Sequence, residues 1–312
     1  MRALIVDPTR PHAMRLANVP QPLPKHGQVL VEVRHIALNP FEIHLATSGR
    51  LPPHWVLGWD TAGIVVAAAH DPGESGRVWG EYGPSIGDRV VAHGRRGGWA
   101  QRRTATVDNL AVVPDAVDLA AAATLPVAAG TALGALREAG ALLGKRVLVT
   151  GASGGVGRFA VQLAALAGAF VVASVGCEAR SRGLRELGAG EIVVGLDEVT
   201  EPVHVVLDAV GGHQLVQAFG LLAPGGVIQS FGGSSGEPAV FPPYSTAGPG
   251  KSLRSFELSP ALADDLIFLL GLVEEGSLTA EIGWRGPWER HEEAVNALLT
   301  RRVNGKAVLD IT

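Results

Sequence analysis

One segment carries the clearest chemical signal in this 312-residue chain: Lys145 to Ala164, KRVLVTGASGGVGRFAVQLA. It reads as an apolar strand, a glycine turn and an amphipathic helix. Glycines there let the backbone bend sharply and approach a pyrophosphate, whose charge then rests on free N–H groups at the positive end of the helix. Ser153, Gly154, Gly155 and Val156 are therefore candidate dinucleotide contacts. A glycine turn alone can be no more than a tight strand-helix junction. Here the strand before it, the helix after it and a second strand over Phe170 to Val175 supply the context that a dinucleotide site requires.

Two other readings of these residues fail. Gly140 to Arg146, GALLGKR, has one residue too few between its glycines for a phosphate-binding P-loop, and Arg146 stands where Ser or Thr would hold magnesium. The glycine pattern from Thr150 also fits short-chain dehydrogenases, whose catalytic Tyr precedes a Lys by four residues. The two tyrosines, Tyr82 and Tyr244, have Ile86 and Gly248 at that offset, so that family is disfavoured. As to the cofactor, NAD sites usually end the second strand with an acid that accepts from the ribose 2′-hydroxyl, whereas a 2′-phosphate wants Arg or Lys. This strand runs Ala173-Ser174-Val175-Gly176-Cys177 with no acid in the usual place, and Arg180 follows. NADPH is the expected cofactor; the alternative is that Arg180 and Arg182 only solvate a helix face.

The turn has to be placed by a larger framework. With 47% hydrophobic and 18% charged residues the chain belongs with compact folded proteins, and its length suggests two domains. Up to about Ala120, short β-branched runs punctuated by Gly and Pro predict a β-rich, loop-heavy unit. From Gly144, apolar strands alternate with helical segments: strands at Val147 to Val149, Phe170 to Val175, Ile192 to Val194, Val203 to Leu207 and Val227 to Phe231, with helices through Val161 and Leu166, through Leu184 and Leu187, and through Leu215 and Leu222. That succession predicts an α/β fold with a doubly wound, mostly parallel sheet. A Pro/Gly/Ser loop near Phe241 to Lys251, helices from about Pro260 to Glu275 and Glu289 to Leu299, and a strand over Ala307 to Ile311 complete the pattern.

Several function classes are disfavoured at this level. Cys177, the single cysteine, cannot form an internal disulfide, a four-Cys zinc site or a CxxC pair, which suits a reducing compartment. The apolar run Ala3 to Val6 is too short for a signal-peptide core, and Leu119 to Leu143 is broken by Pro126, Gly130, Gly134, Arg137 and Glu138. A cytoplasmic protein without membrane spans is expected. The net charge is −4 with scattered Lys and Arg, so no nucleic-acid partner is expected.

Read in order, GASGGVG, Asp208-Ala-Val210-Gly211-Gly212, Leu222-Ala-Pro-Gly225-Gly226 and Asn304-Gly-Lys306-Ala-Val-Leu-Asp310 resemble the medium-chain dehydrogenase/reductase superfamily. So do Leu57-Gly58-Trp59-Asp60-Thr-Ala-Gly63, Gly87-Asp88-Arg89-Val90 and Leu125-Pro126-Val-Ala-Ala-Gly130-Thr131-Ala132. The chain looks most like the zinc-independent quinone oxidoreductase branch, the zeta-crystallin-like proteins. The resemblance implies a GroES-like catalytic domain over 1–120, a Rossmann domain over 121–257 and a C-terminal return to the catalytic domain over 258–312. Substrate and nicotinamide would meet in the cleft between the domains.

Zinc-dependent relatives carry a Cys in the segment matching Ala37-Leu38-Asn39, a His-Glu pair after the glycine matching Gly58, and a four-Cys lobe. This chain has Asn39, Trp59 and Asp60 at the first two and no cysteines for the lobe, so no metal is expected. Without a metal to stabilise an alkoxide, the expected chemistry is hydride transfer from NADPH to a quinone or an α,β-unsaturated carbonyl, followed by protonation.

The resemblance further implies roles for Asn39 near the nicotinamide ribose and substrate, and for His44, where quinone reductases often carry Tyr, as proton donor or hydrogen-bond partner of the acceptor. Asn39 also suits a turn before Pro40, and His44 a surface role. Trp55 and Trp59 are candidate walls of an aromatic pocket, or core residues. Thr131, Ser174, Val210, Gly211, Phe231, Gly232, Asn304 and Lys306 are the remaining candidate cofactor contacts. A homodimer is expected, through the edge strand near Lys251 to Phe256. The alternatives are a 2-enoyl thioester reductase and a nucleotide-binding member without catalysis.

Overall fold

The computed structural model describes residues 1–68 and 84–311; Tyr82 lies outside them. It divides into two compact units, residues 1–130 with 260–312, and residues 131–259. The first boundary falls at Gly130, beyond Ala120, because Leu119–Ala123 and the wide helical turn Leu125–Ala129 belong to the first unit.

In chain order the first unit opens with the antiparallel pair β1 (Arg2–Val6) and β2 (Met14–Asn18), then β3 (Gln28–Leu38), α1 (Pro40–Thr47) and β4 (Asp60–Ala68). Strands β5 (Arg89–His93), β6 (Arg102–Thr106) and β7 (Leu110–Val112) and helix α2 (Leu119–Ala123) follow. The long β3 is the keel of this sheet, pairing antiparallel with both β4 and β6. Val29 and Val31 face one core with Val65, Val90 and Leu110. Ile36 and Leu38 face another with Ile43, Trp99 and Trp288. Inward residues change from odd to even numbers along the strand, and the register shift between Val33 and His35 accommodates the change. A bulge supplies the extra residue that resets a period of two.

The second unit runs α3 (Gly130–Ala139), β8 (Arg146–Val149), α4 (Gly155–Leu166), β9 (Phe170–Val175), β10 (Ala189–Val194), β11 (Val203–Asp208), α5 (Gly212–Gly220), β12 (Leu222–Ser230) and β13 (Ser252–Ser255). All six strands are parallel, in the order β10-β9-β8-β11-β12-β13. The order reverses between β8 and β11, and ligands of such sheets bind at the carboxyl ends flanking that point. The helix expected through Leu184 and Leu187 is absent: a single 3-10 turn, Glu178–Arg180, is followed by turns. Gly183 and Gly188, at φ +79 and +104, put left-handed backbone where a helix would have to continue. Leu184 is nevertheless fully buried, so the apolar positions that suggested a helix cover the sheet from a loop.

The chain then returns to the first unit as α6 (Ala263–Glu274), β14 (Ile282–Pro287), α7 (His291–Leu299) and β15 (Lys306–Asp310). Strand β15 pairs antiparallel with the end of β3, Ala307 opposite Leu38. No helix among the described residues is long and apolar enough to cross a membrane.

Gly157 is where α4 presses on the glycine turn. A Cβ there would lie 2.4 Å from the Gly151 carbonyl oxygen and 2.6 Å from Ala152 Cα, both backbone atoms that have nowhere to move. Gly157→Ala is expected to lower unfolding stability by about 1–3 kcal/mol in denaturant titration. Gly233→Ala, which meets no atom within 4 Å, should be close to neutral and serves as control.

Candidate active site

In the second unit the turn after β8 is held by a buried carboxylate. Asp208, at the end of β11 and fully buried, accepts from Thr150 Oγ1 at 2.8 Å and from Gly211 N at 3.1 Å. Burial pushes this carboxyl up, and the bonds from Thr150, Val210, Gly211 and Ser230 oppose the shift. Thr150 Oγ1 in turn accepts from Ala209 N at 3.1 Å. The loops after β8, β11 and β12 are thus laced together at the strand ends. Gly154, extended at φ −80 and ψ 179, precedes α4. The amides of the first helical turn have no intrahelical acceptor and form an anion-binding end. Buried Ser153 accepts from Arg180 Nε at 2.7 Å, so Arg180 is moored to this turn although it follows β9 by several residues. Ser174 is buried, donating to the Gly195 carbonyl and accepting from Gln214 Nε2. Thr131 is buried near the start of α3, while Val210, Phe231 and Gly232 are half-buried at the ends of β11 and β12. The residues present offer the turn, free amides and guanidinium that a nucleotide phosphate requires.

In the first unit Asn39, Glu42, Asp60, Arg103 and Lys306 form a buried charge cluster. Pro40 begins α1 with φ already set, and Asn39 caps it. Glu42, one turn in, reaches back to accept from Asn39 N at 3.1 Å and Asn39 Nδ2 at 2.8 Å; its other oxygen accepts from Trp59 N at 2.7 Å. Asn39 Nδ2 also donates to Asp60 Oδ2 at 3.0 Å. Lys306, brought in by β15, donates to Asn39 Oδ1 at 2.6 Å and the Leu38 carbonyl at 3.0 Å, with its ammonium 3.8 Å from Asp60. Arg103 donates to Trp59 O at 2.8 Å and Thr61 Oγ1 at 3.1 Å. Two carboxylates and two cations balance. Burial and the neighbouring Asp60 push the Glu42 carboxyl up; burial pushes the Lys306 ammonium down while Asp60 and Glu42 hold it charged.

Beside this cluster runs a row of rings. His44 stacks on exposed Phe41 at 6.2 Å, Phe41 meets Trp59 at 5.7 Å, and Trp59 meets His93 edge-on at 6.1 Å.

Residues 25–138 match the family model of the alcohol dehydrogenase GroES-like domain, and residues 155–261 that of the zinc-binding dehydrogenases. A chloroplast envelope quinone oxidoreductase homolog of Arabidopsis thaliana is 31% identical across 94% of this chain and 92% of its own. The chain belongs to the medium-chain dehydrogenase/reductase superfamily. Its place there is with the quinone oxidoreductases, and it is an oxidoreductase. A second Arabidopsis relative, the chloroplastic NADPH-dependent alkenal/one oxidoreductase, is 28% identical over 94% of this chain and 74% of its own. The quinone oxidoreductase of Coxiella burnetii superposes with a TM-score of 0.86, at 26% identity, over 100% of this chain and 99% of that one.

The superfamily includes zinc enzymes, so the positions matching their ligands matter. Asn39 and Asp60 are engaged with Lys306, a cation already in place, and Trp59 offers no metal ligand. Among the described residues no group of three or more His, Cys, Asp and Glu is placed to hold a metal. The donor set does not fit zinc.

Within the first unit the structure brings Asn39, Trp59, His44 and Lys306 into one neighbourhood. Trp55 stands apart, packed on the core that holds Trp99 and Trp288, under the Arg96 guanidinium at 5.3 Å. Lys306 is 3% exposed and two of its donors are spent on Leu38 and Asn39, which makes it a scaffold cation; Asn304 is half-buried in the turn just before it. Sequence reasoning passed over Glu42, Arg103 and His93. The spacing of Asn39 and Glu42 before an apolar run is the signature of a capping box and marks Glu42; nothing comparable marks the others.

Removing the Lys306 charge leaves Glu42 and Asp60 inadequately compensated. Lys306→Met is expected to cost about 3–5 kcal/mol. The carboxyls would then hold protons more tightly folded than unfolded, so their contribution is present at low pH and lost as pH rises. Denaturant titrations should show the deficit of the variant growing from about pH 5 to about pH 8.

Proposed function

We propose that this chain is an NADPH-dependent, zinc-free reductase that delivers a hydride to quinones or α,β-unsaturated carbonyls. The observation that carries the reading is the Lys306 ammonium between Asn39 and Asp60, where zinc enzymes of the superfamily build their metal site. A site organised around a fixed internal cation lacks the Lewis acid that alcohol oxidation relies on. It suits acceptors that stabilise negative charge themselves. The two Arabidopsis relatives, one named for quinones and the other for alkenals and enones, support that substrate class.

The nucleotide half of the proposal rests on the second unit. The pyrophosphate would lie on the amides of Gly155, Val156 and Gly157, and the adenosine 2′-phosphate against Arg180, which Ser153 holds in place. Strand β9 ends at Val175 and is followed by Gly176 and Cys177, which put no carboxylate against that phosphate. The bound nicotinamide supplies the hydride; the protein orients the acceptor, excludes water and manages the proton. A homodimer fits an exposed strand: β13 lies at the edge of the six-stranded sheet with Leu253 exposed. The reading places the enzyme in the cytoplasm.

Oxidation of NADPH and NADH should be followed with quinones, enones and enoyl thioesters. Turnover is expected with quinones or enones and NADPH; turnover confined to enoyl thioesters would move the assignment to that class. Arg180→Glu should weaken NADPH binding by roughly 10- to 100-fold, since a charge-assisted bond to phosphate contributes about 1.5–3 kcal/mol, and leave NADH binding nearly unchanged. An unchanged NADPH to NADH ratio would remove Arg180 from the 2′-phosphate site.

A further inference from the structure

We propose that His93, set by Asp60, is the proton donor of the reaction, and that the half-buried ring of Trp59 and the exposed ring of Phe41 form the platform on which a planar acceptor lies beside it. The inference rests on the reductase reading above and adds to it the group that completes reduction.

The geometry is that of a carboxylate-histidine dyad. His93 closes β5 directly opposite Asp60, the first residue of β4. His93 Nδ1 lies 3.2 Å from Asp60 Oδ1; the Asp60 side chain is wholly buried, and the His93 side chain keeps 10% of its surface open. The other Asp60 oxygen is fixed by Asn39 Nδ2 at 3.0 Å and Val127 N at 3.3 Å. A carboxylate can only accept, so the Nδ1 proton belongs to this bond and exchange is left to Nε2. In the same way a buried acid fixes the tautomer of a catalytic imidazole in hydrolases.

Asp60 from β4 is the carboxylate that faces the His93 ring directly, and the Arg103 guanidinium from β6 lies so close to the neighbouring Gly94 that a Cβ there would sit 2.4 Å from Nη2; Glu42 of α1 and Lys306 of β15 join the same cluster through Asn39 and Asp60. Trp59 meets the ring edge-on and continues into Phe41, 54% exposed. His44, at the far end of the row beyond Phe41, is exposed.

For an enone the balance is as follows. The β-carbon receives a hydride from the reduced nicotinamide, which leaves oxidised, and the π pair of the C=C bond moves toward the carbonyl to give an enolate. The Nε2–H bond of the imidazolium breaks, a C–H bond forms at the α-carbon, and neutral His93 regains its proton from solvent.

The test uses a cyclic enone bearing a methyl group on its α-carbon, reduced with NADPH in D2O. Wild-type protein should place deuterium on one face of the α-carbon, with a rate that falls at alkaline pH. His93→Gln should lower kcat at least about 100-fold, abolish the alkaline fall and scramble the α-carbon face, with NADPH binding, read by cofactor fluorescence, unchanged. His44→Phe should keep the facial selectivity and the alkaline fall, whatever its effect on rate. Should His93→Gln fail to fold, His93→Asn and the wild-type profile serve: a wild-type rate that is flat on the alkaline side, or random deuteration, overturns the proposal. So does a folded His93 variant with wild-type rate and facial selectivity, or loss of both in His44→Phe instead. A wild-type chain that reduces neither enones nor quinones overturns the reductase reading as well, which separates the two failures.

Discussion

A single buried ammonium organises the first unit. Lys306 arrives on the last strand, a neighbour of β3 through the pairing of Ala307 with Leu38, and its donors fall on Leu38 and Asn39 with Asp60 close by. Through Asn39 it fixes the start of α1, and through Asp60 the start of β4. Glu42 then ties α1 to the loop before β4 by accepting from Trp59 N. Stripping two carboxylates of water is costly unless charge and hydrogen bonds replace it. Lys306 and Arg103 supply the charge, and Asn39, Trp59 and Val127 the bonds. The geometry of the site is thereby coupled to closure of the sheet by the C-terminal return.

The second unit solves a similar problem without a buried cation. Asp208 is surrounded by neutral donors, Thr150, Val210, Gly211 and Ser230. They stitch the strand-end loops at the reversal point of the sheet. In both units a buried carboxylate at a strand end works as an acceptor that sets its neighbours: Asp208 fixes the glycine turn through Thr150, and Asp60 faces the His93 ring. The two differ in what lies nearby: beyond the turn that Asp208 holds, the Arg180 guanidinium bonds Ser153, whereas Trp59 meets the His93 ring beside Asp60.

What was legible in the sequence follows from how local each feature is. The parallel strands declare themselves as apolar runs buried on both faces, and the glycine turn by residues that cannot be exchanged where α4 meets Gly151. The apolar spacing of Leu184 and Leu187 misled, because periodicity reports burial and not backbone, and Gly183 and Gly188 decide the backbone there. The charge cluster was hidden by distance along the chain. Asn39 and Lys306 are 267 positions apart, and Asp60 and His93 are 33 apart. No local pattern links them; only the register of β15 on β3 and of β5 on β4 brings them together.

Metal dependence separates a site built around Lys306 from one built around zinc. Purified protein should be dialysed exhaustively against a strong chelator, its metal content measured, and its NADPH-dependent reduction of a quinone or enone compared before and after. Undiminished turnover without stoichiometric metal is expected. Turnover that vanishes with the metal and returns on adding zinc would contradict the assignment of Lys306 as the cation of this site.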